Sequence, residues 1–360
     1  MAGSASRNFD VVVVGAGQAG LAIGYFLARQ GRRFLIIDAA NSVGSAWRGR
    51  WDSLRLFTPR RYDSLPGLAF PGDSDGYPTR DEAVAYLELY AKTFDLPIEL
   101  NSVVRKLAAE NGKYLLEVDG ETITADQVVV ATGPFQTPNV PTIAGDLAPG
   151  VFQAHSTEYR RPDDVPKGRI LVVGGGNTGF QIAKELSETH EVLLAIGSRQ
   201  TPLPQRILGR DLFWWLTKTG LIRKTVDSRI GRRAQHRDML IGSSPRELNR
   251  RYGVELKPRL VGMDERTTRF ADGTESEVDG VIWATGYQAD YSWIDFPVFD
   301  ADGVVRHKRG ATDVPDLYFL GLTWQHTRGS ALLGWVTEDA EFIAEQISQR
   351  VDDQARPAAP

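Results

Sequence analysis

The chain has 360 residues, 42% hydrophobic and 24% charged, with a net charge of −4. That is the composition of an ordinary globular protein of about two domains, and its charge balance excludes a generic nucleic-acid binder. Cysteine is absent and the five histidines are scattered, which excludes dithiol redox centres, Cys-held iron–sulfur clusters and zinc pairs in this chain. No metal is expected, and redox chemistry would fall to a bound organic cofactor. No apolar run reaches the ~20 residues that span a bilayer, and no basic segment leads to a cleavage site, so a cytoplasmic location is expected.

Phe9–Val14 is an apolar, β-branched run, the pattern of a parallel strand buried on both faces. It enters Gly15-Ala16-Gly17-Gln18-Ala19-Gly20, followed by a helical pattern over Leu21–Ala28 with Gly31 as its C-cap. A second strand, Phe34–Ile37, ends at Asp38, eighteen residues beyond Gly20. The first glycine permits a tight turn, the second lets backbone approach a pyrophosphate, and the third lets helix pack on strand. The helix N-terminus then offers N–H groups to phosphate, and Asp38 can accept hydrogen bonds from ribose hydroxyls. Gly15, Gly17, Gln18, Ala19, Gly20 and Asp38 therefore form a candidate dinucleotide site. Thr79-Arg80-Asp81-Glu82 matches a capping box opening a helix to about Phe94. Val103–Thr124, with turns at Asn111-Gly112 and Asp119-Gly120, predicts an antiparallel meander. The strand Gln127–Val130 runs into Ala131-Thr132-Gly133, where small residues let backbone pass close to a neighbour.

After a Pro-rich, charged linker at Pro162–Lys167 the pattern recurs. Arg169–Val173 reads as a strand, Gly174-Gly175-Gly176-Asn177-Thr178-Gly179 as the turn, Phe180–Leu186 as a helix and Glu191–Ile196 as the next strand. This one ends in Gly197-Ser198-Arg199 instead of an acid. Ser198 and Arg199 could bind and neutralise a 2′-phosphate, so the second site should prefer NADPH; the plainer reading of Arg199 is a solvated loop arginine. From Arg199 to Arg259 there are 15 basic and five acidic residues, with Leu212-Phe213-Trp214-Trp215-Leu216 on a helix. This is either an electropositive funnel for NADPH beside an apolar substrate entrance or weak membrane-surface patch, or a solvated basic face with a tryptophan in the local core. Thr267–Val278, turning at Asp272-Gly273, repeats the antiparallel theme, and Gly280–Trp283 runs into Ala284-Thr285-Gly286-Tyr287. A strand at Leu317–Leu322, a helix from about Ser330 and a disordered tail, Gln354–Pro360, complete the chain.

In this order and spacing, the two glycine turns, Asp38 and the two Ala-Thr-Gly ends resemble the two-dinucleotide-binding flavoproteins. Val43-Gly44-Ser45-Ala46-Trp47-Arg48 is similar to the GGxW segment of flavin-containing and Baeyer–Villiger monooxygenases. His155-Ser156-Thr157-Glu158-Tyr159 is similar to the HSxxY end of their fingerprint. The fingerprint's leading Phe and Gly would fall at Pro149 and Val151 and are absent. Tyr159 stands where Baeyer–Villiger enzymes carry Trp, and Phe57 stands near the position of the animal enzymes' active-site Asn.

The resemblance implies an α/β fold with two Rossmann-like dinucleotide-binding domains. The NADPH domain, 162–284, would be inserted into a discontinuous FAD domain formed by 1–161 and 285–360. FAD would lie on the first turn, with Trp47, Arg48, Ala131, Thr132 and Gly133. NADPH would lie on Gly174, Gly176, Asn177, Thr178 and Gly179, with His155, Ser156, Ser198, Arg199, Ala284, Thr285, Gly286 and Tyr287. Gln325, His326, Thr327 and Arg328 would approach the isoalloxazine, where Phe57, Gln325 and His326 are candidates for a role; no catalytic residue is assigned. The implied reaction is NADPH-driven formation of a C4a-hydroperoxyflavin that oxygenates an amine nitrogen or sulfur of a small molecule. Alternatives on this fold are Baeyer–Villiger oxygenation, a ferredoxin- or quinone-type reductase, and a redox sensor without turnover. The implied partners are O2 and a small-molecule substrate, with the chain a monomer or homodimer.

Overall fold

The computed structural model describes residues 7–235 and 239–355, with side chains to 350. The first half contains β1 (Arg7–Val14), α1 (Gln18–Arg29), β2 (Phe34–Ile37), α2 (Ser45–Arg48), α3 (Arg80–Thr93), β3 (Ile98–Glu99), β4 (Val104–Glu110), β5 (Lys113–Val118) and β6 (Glu121–Val130). The second contains β7 (Phe152–His155), β8 (Arg169–Val173), α4 (Asn177–Leu186), β9 (Glu191–Ala195), α5 (Leu212–Lys218), α6 (Arg229–Gln235), α7 (Pro245–Tyr252), β10 (Glu255–Lys257), β11 (Leu260–Asp264), β12 (Thr267–Phe270), β13 (Glu275–Glu277) and β14 (Gly280–Trp283). The chain returns through β15 (Leu317–Phe319) and α8 (Val336–Ala355).

The first sheet runs β3-β2-β1-β6-β5-β4. Its β1, β2 and β6 are parallel, whereas β4 to β6 form the antiparallel meander that the two Asx-Gly turns predict. The far edge of β6 is shared: Glu121–Ala125 pairs with β5, and Val128–Val130 pairs in parallel with β15. Val11 and Val13 enter the core beneath α1, α3 and α8; Val12 and Val14 enter the core on the opposite face. That is why β1 is apolar without alternation. The second sheet is wholly parallel, in the order β10-β9-β8-β14-β7. Its edge strand β7 precedes the Pro-rich linker, so the segment before the linker contributes to the second sheet. The capping box forms: Thr79 Oγ1 accepts from the Glu82 N–H and the Glu82 carboxylate accepts from the Thr79 N–H.

Several boundaries differ from the pattern reading. Helices α1 and α4 start inside the glycine motifs, because Gly17 and Gly176 are themselves the N-caps. The last helix starts at Val336 and not near Ser330. The Ser330 hydroxyl instead accepts from the N–H groups of His326 and Thr327, closing a turn, and Gly334 lies against the Tyr62 carbonyl with no room for a Cβ. The return strand stops at Phe319, short of Leu322, before Gly321 turns the chain at φ +85°. Of the expected disordered tail, residues 356–360 lie outside the described residues, and 354–355 end α8.

A candidate two-nucleotide cleft

The two glycine turns sit at the carboxyl ends of β1 and β8, the edge where parallel α/β sheets bind ligands. Gly15 has φ +113°, and a Cβ there would lie 2.6 Å from the Ala131 carbonyl oxygen. Gly174 repeats this with φ +135° against the carbonyl of Ala284. Each Ala-Thr-Gly end thus passes directly beside its own glycine turn. At Gly20 and Gly179 a Cβ would collide with the carbonyls of Gly15 and Gly174, so helix and turn can close only on glycine. Gly17 and Gly176 are opposite in kind: a Cβ there meets nothing within 4 Å. Neither helix has a side-chain N-cap bond or an acid in its first turn. Both therefore present N–H groups and the positive end of the helix dipole into open cradles, which fit the phosphates of two dinucleotides.

Around the first cradle, Asp38 Oδ2 accepts from Ala16 N–H at 2.6 Å and Oδ1 from Ala40 N–H at 2.8 Å, holding the carboxylate beside the turn. Trp47 Nε1 donates to Gln18 Oε1 at 3.0 Å, and Gln18 Nε2 donates to the Ala331 carbonyl at 3.1 Å. The start of α1 is thereby tied both to α2 and to the loop before α8. Arg48 is not brought to the cleft. Its side chain is exposed and pairs with Glu88 of α3, because α2 ends at Gly49 with Arg48 on its outer face. Arg50, which no local pattern marks, turns inward instead. Its guanidinium donates to the Tyr287 hydroxyl and lies 4.8 Å from the Tyr287 ring centre and 5.7 Å from that of Phe135. Burial, with Arg160 nearby, lowers its pKa.

The second cradle is approached by Tyr287, Gly286 and His155. His155 Nε2 lies 3.0 Å from the Gly286 carbonyl and must donate, so Nδ1 accepts from Thr157 Oγ1 at 3.0 Å. The ring is 2% exposed and meets Tyr287 edge-on at 5.2 Å. Burial holds its pKa below the ordinary imidazole value, consistent with this neutral tautomer. Buried Ser156 donates its N–H to the Trp283 carbonyl at 2.9 Å, so both residues hold the end of β14. The two Ala-Thr-Gly ends are joined: Thr137–Pro138 pairs antiparallel with Tyr287–Gln288, and Asn139 N–H donates to the Gly286 carbonyl. Thr285 Oγ1 donates to the Asn139 carbonyl, and Thr132 Oγ1 accepts from Gln136 Nε2 at 2.9 Å. Asn177 spends its amide on Met239 and Ile241, while Thr178 is half-buried in the first turn of α4.

Ser198 and Arg199 are exposed just beyond β9. Gln200 Nε2 donates to the carbonyl and hydroxyl of Ser198 at 3.1 and 3.2 Å. Arg259, distant in sequence, donates to the Gly197 carbonyl at 2.9 Å and adds a second guanidinium here. The basic stretch divides: Leu212 and Phe213 are the buried members of α5, while Trp214 and Trp215 are half-buried. Phe213 stacks on Phe57 at 5.9 Å and tilts on Trp335, which stacks on Tyr62 at 5.4 Å. Phe57 is thus part of an aromatic chain joining both halves. Gln325 is buried, accepting from Leu322 N–H and donating to the Arg309 carbonyl, a loop brace. The His326 carbonyl accepts from Val226 N–H at 2.9 Å, and burial lowers its imidazole pKa. Asp63, also unmarked in the sequence, is fully buried; Oδ1 accepts from Thr58 Oγ1 and Oδ2 has no partner. Burial pushes its pKa up to about 8.

Among the described residues no cluster of three or more His, Cys, Asp or Glu could hold a metal ion. No helix among them is long and apolar enough to cross a membrane. The architecture is that of an oxidoreductase built from two facing dinucleotide folds. The profile of the pyridine nucleotide-disulphide oxidoreductase family matches residues 12–206. An uncharacterized oxidoreductase, CzcO-like, from Geobacillus kaustophilus is 45% identical over 94% of this chain and 98% of its own length. Indole-3-pyruvate monooxygenase YUCCA4 of Oryza sativa subsp. japonica is 30% identical over 95% of this chain and 88% of its own. The solved flavin-containing monooxygenase of Stenotrophomonas maltophilia superposes with a TM-score of 0.81 at 30% identity, over 96% of this chain and 99% of that one. The chain belongs to the pyridine nucleotide-disulphide oxidoreductase family, in its flavin-monooxygenase-like branch.

Proposed function

We propose that this protein is an NADPH-dependent flavin monooxygenase that places one oxygen atom of O2 on an amine nitrogen or sulfur of a small molecule. The observation that supports it best is the pair of open glycine cradles, each backed by an Ala-Thr-Gly end, in a chain with no cysteine to receive electrons. FAD is held by Gly15, Gly17, Gln18, Ala19, Gly20, Asp38, Trp47 and Ala131–Gly133. NADPH is held by Gly174, Gly176, Asn177, Thr178, Gly179, Ser198, Arg199 and Ala284–Tyr287. The NADPH unit is 162–284 inserted between 1–161 and 285–360, with β7 lent to its sheet.

When bound, FAD accepts hydride and supplies the oxygen chemistry. The chain's part is to orient and to exclude water. Asp38 holds the first turn, Ser198 and Arg199 take the 2′-phosphate, and His155 and Ser156 fix the Gly286 turn beneath the coenzyme. Neutral His155 donates to a carbonyl and is a positioning residue. Arg50, under Tyr287 and Phe135, closes the joint between the two halves. The test is NADPH oxidation over a panel of amines, thioethers and ketones, with product mass and peroxide measured together. Sulfoxides or N-oxides support the reading; a ketone-derived ester would move it to Baeyer–Villiger chemistry. Fast reduction of quinones without any oxygenated product would replace it with a reductase.

A further inference from the structure

We infer that the hairpin Arg206–Asp211, with the start of α5 behind it, is a docking surface for an anionic lipid bilayer, which the protein meets peripherally and reversibly. The inference stands apart from the oxygenase reading. Two short strands, Arg206–Ile207 and Arg210–Asp211, pair antiparallel and leave Leu208-Gly209 as a two-residue turn. Such a turn with left-handed backbone at both positions favours Asn-Gly. Here φ is +49° at Leu208 and +75° at Gly209, so a bulky apolar residue holds a conformation it adopts only at a cost. That leucine is 88% exposed, and Ile207 beside it is exposed as well. The fold thus accepts backbone strain at a bare apolar apex standing in water.

The apex is firmly based. Asp211 is buried, and its carboxylate accepts from the Phe213 N–H at 2.7 Å, from Gln205 Nε2 at 2.8 Å and from the Tyr77 hydroxyl at 2.6 Å. Trp215 Nε1 donates to the Ile207 carbonyl at 3.0 Å, and Trp214 meets Trp215 edge-on at 4.8 Å. Arg206 and Arg210 flank the turn, the Arg210 guanidinium lying 5.5 Å from the Trp214 ring centre. Leucine can enter the acyl boundary, the indoles suit head-group level, and the arginines can reach back to phosphate. Behind the apex a groove is lined by Arg61, Tyr62, Arg206, Arg210 and Trp214, with room for such a phosphate. Its acids are already engaged: Asp75 pairs with Arg61 at 2.6 Å, and Asp211 faces its three donors.

Charge selects the occupant. From Arg206 to Arg233 there are eight cations against two acids, buried Asp211 and exposed Asp227. Among the described residues Arg223 alone of the eight is in an ion pair, with Glu338. The stretch Arg199–Arg259 carries +10 and the rest of the chain −14, so an anionic surface attracts this stretch and repels the remainder. One leucine with one isoleucine falls far short of the about 800 Å² that each partner of a stable protein pair buries. A nucleic acid has no use for an apolar apex, whereas a bilayer accepts a convex tip of any outline.

The test is co-sedimentation of the full-length FAD-loaded protein with vesicles of phosphatidylglycerol and phosphatidylcholine in equal parts, and with phosphatidylcholine alone. The native protein should pellet with the anionic vesicles at about 0.1 M salt, be released toward about 1 M salt, and stay in solution with phosphatidylcholine. Leu208→Asn should weaken binding at least about tenfold, the worth of a buried leucine side chain. Its melting temperature should hold or rise, because Asn tolerates the left-handed turn; a merely structural leucine would give the opposite pair of results. Arg206→Gln combined with Arg210→Gln should weaken binding by about fivefold for each charge. Val261→Asn, at an exposed apolar position in β11, should leave binding in place. No pelleting with anionic vesicles, equal pelleting with both kinds, or unmoved binding in Leu208→Asn overturns the inference. A Leu208-dependent dimer in light scattering without vesicle binding would make the apex a self-contact. Tighter binding to a DNA duplex than to the vesicles would give the patch to nucleic acid, and either result sinks the bilayer.

Discussion

Valine at Gly17 and at Gly176 should separate the two cofactors. Both positions have ordinary extended backbone, with φ −76° and ψ −174° at Gly17 and φ −81° and ψ 176° at Gly176, so no left-handed strain arises. A Cβ at either place meets nothing within 4 Å, so folding stability should fall by no more than about 1 kcal/mol, the cost of a poorer N-cap residue. The same side chain stands where a phosphate approaches the helix N-terminus. Losing one charge-assisted N–H contact costs roughly 1.5–3 kcal/mol, or about 10- to 150-fold in affinity. Gly17→Val should therefore purify nearly colourless with a native-like melting temperature for its apoprotein. Gly176→Val should stay yellow and lose NADPH binding. Flavin released on denaturation, FAD titration of the apoprotein and NADPH titration of the holoprotein measure the three quantities. Full flavin occupancy in Gly17→Val, or identical cofactor losses in both variants, would refute the assignment of one dinucleotide to each cradle.

Arg199→Ala should cut the preference for NADPH over NADH, leaving a residue of preference from Arg259; an unchanged ratio of dissociation constants would return Arg199 to a solvated loop. His155→Ala removes the donor to the Gly286 carbonyl, which should weaken NADPH binding and raise peroxide released per NADPH while flavin content holds. A peroxide assay that shows tight coupling in that variant would contradict the positioning role. Asp63 is an acid whose pKa rises on folding, so its contribution is fullest below the ordinary carboxyl range and is lost as pH climbs toward about 8. Asp63→Asn, neutral at every pH, should gain stability relative to the native protein by several kcal/mol between pH 4 and 8, because each tenfold change in proton concentration across that window is worth about 1.4 kcal/mol. Melting curves of the two proteins that stay parallel across that range would show that Asp63 is not a neutral acid.

The parts of the cleft that could be read from the chain are those whose chemistry is local. A glycine at the end of a strand, an open cradle two residues later and a crowded glycine three beyond that are set within one turn. Asp38 and Ser198 follow because each stands at the end of the next parallel strand. What could not be read depends on distant elements. Arg48 and Arg50 are two residues apart, yet α2 ends between them, turning one to Glu88 on the surface and the other under Tyr287. Arg259 reaches Gly197 only because β10 pairs beside β9. Asp63 carries no pattern that distinguishes a buried acid from a loop acid. The late start of α8 follows from Gly334 pressing on Tyr62, a contact across more than 250 residues of chain.

The most direct measurement is the fate of oxygen under ¹⁸O2. The FAD-loaded protein would be supplied with NADPH and a mixture of a thioether and a tertiary amine, and the products weighed by mass spectrometry alongside peroxide. One ¹⁸O atom in a sulfoxide or N-oxide for each NADPH consumed is the predicted result. NADPH oxidation that ends wholly in peroxide, or that is drawn into added quinone with no labelled product from any compound, would contradict monooxygenation and leave a reductase on the same fold.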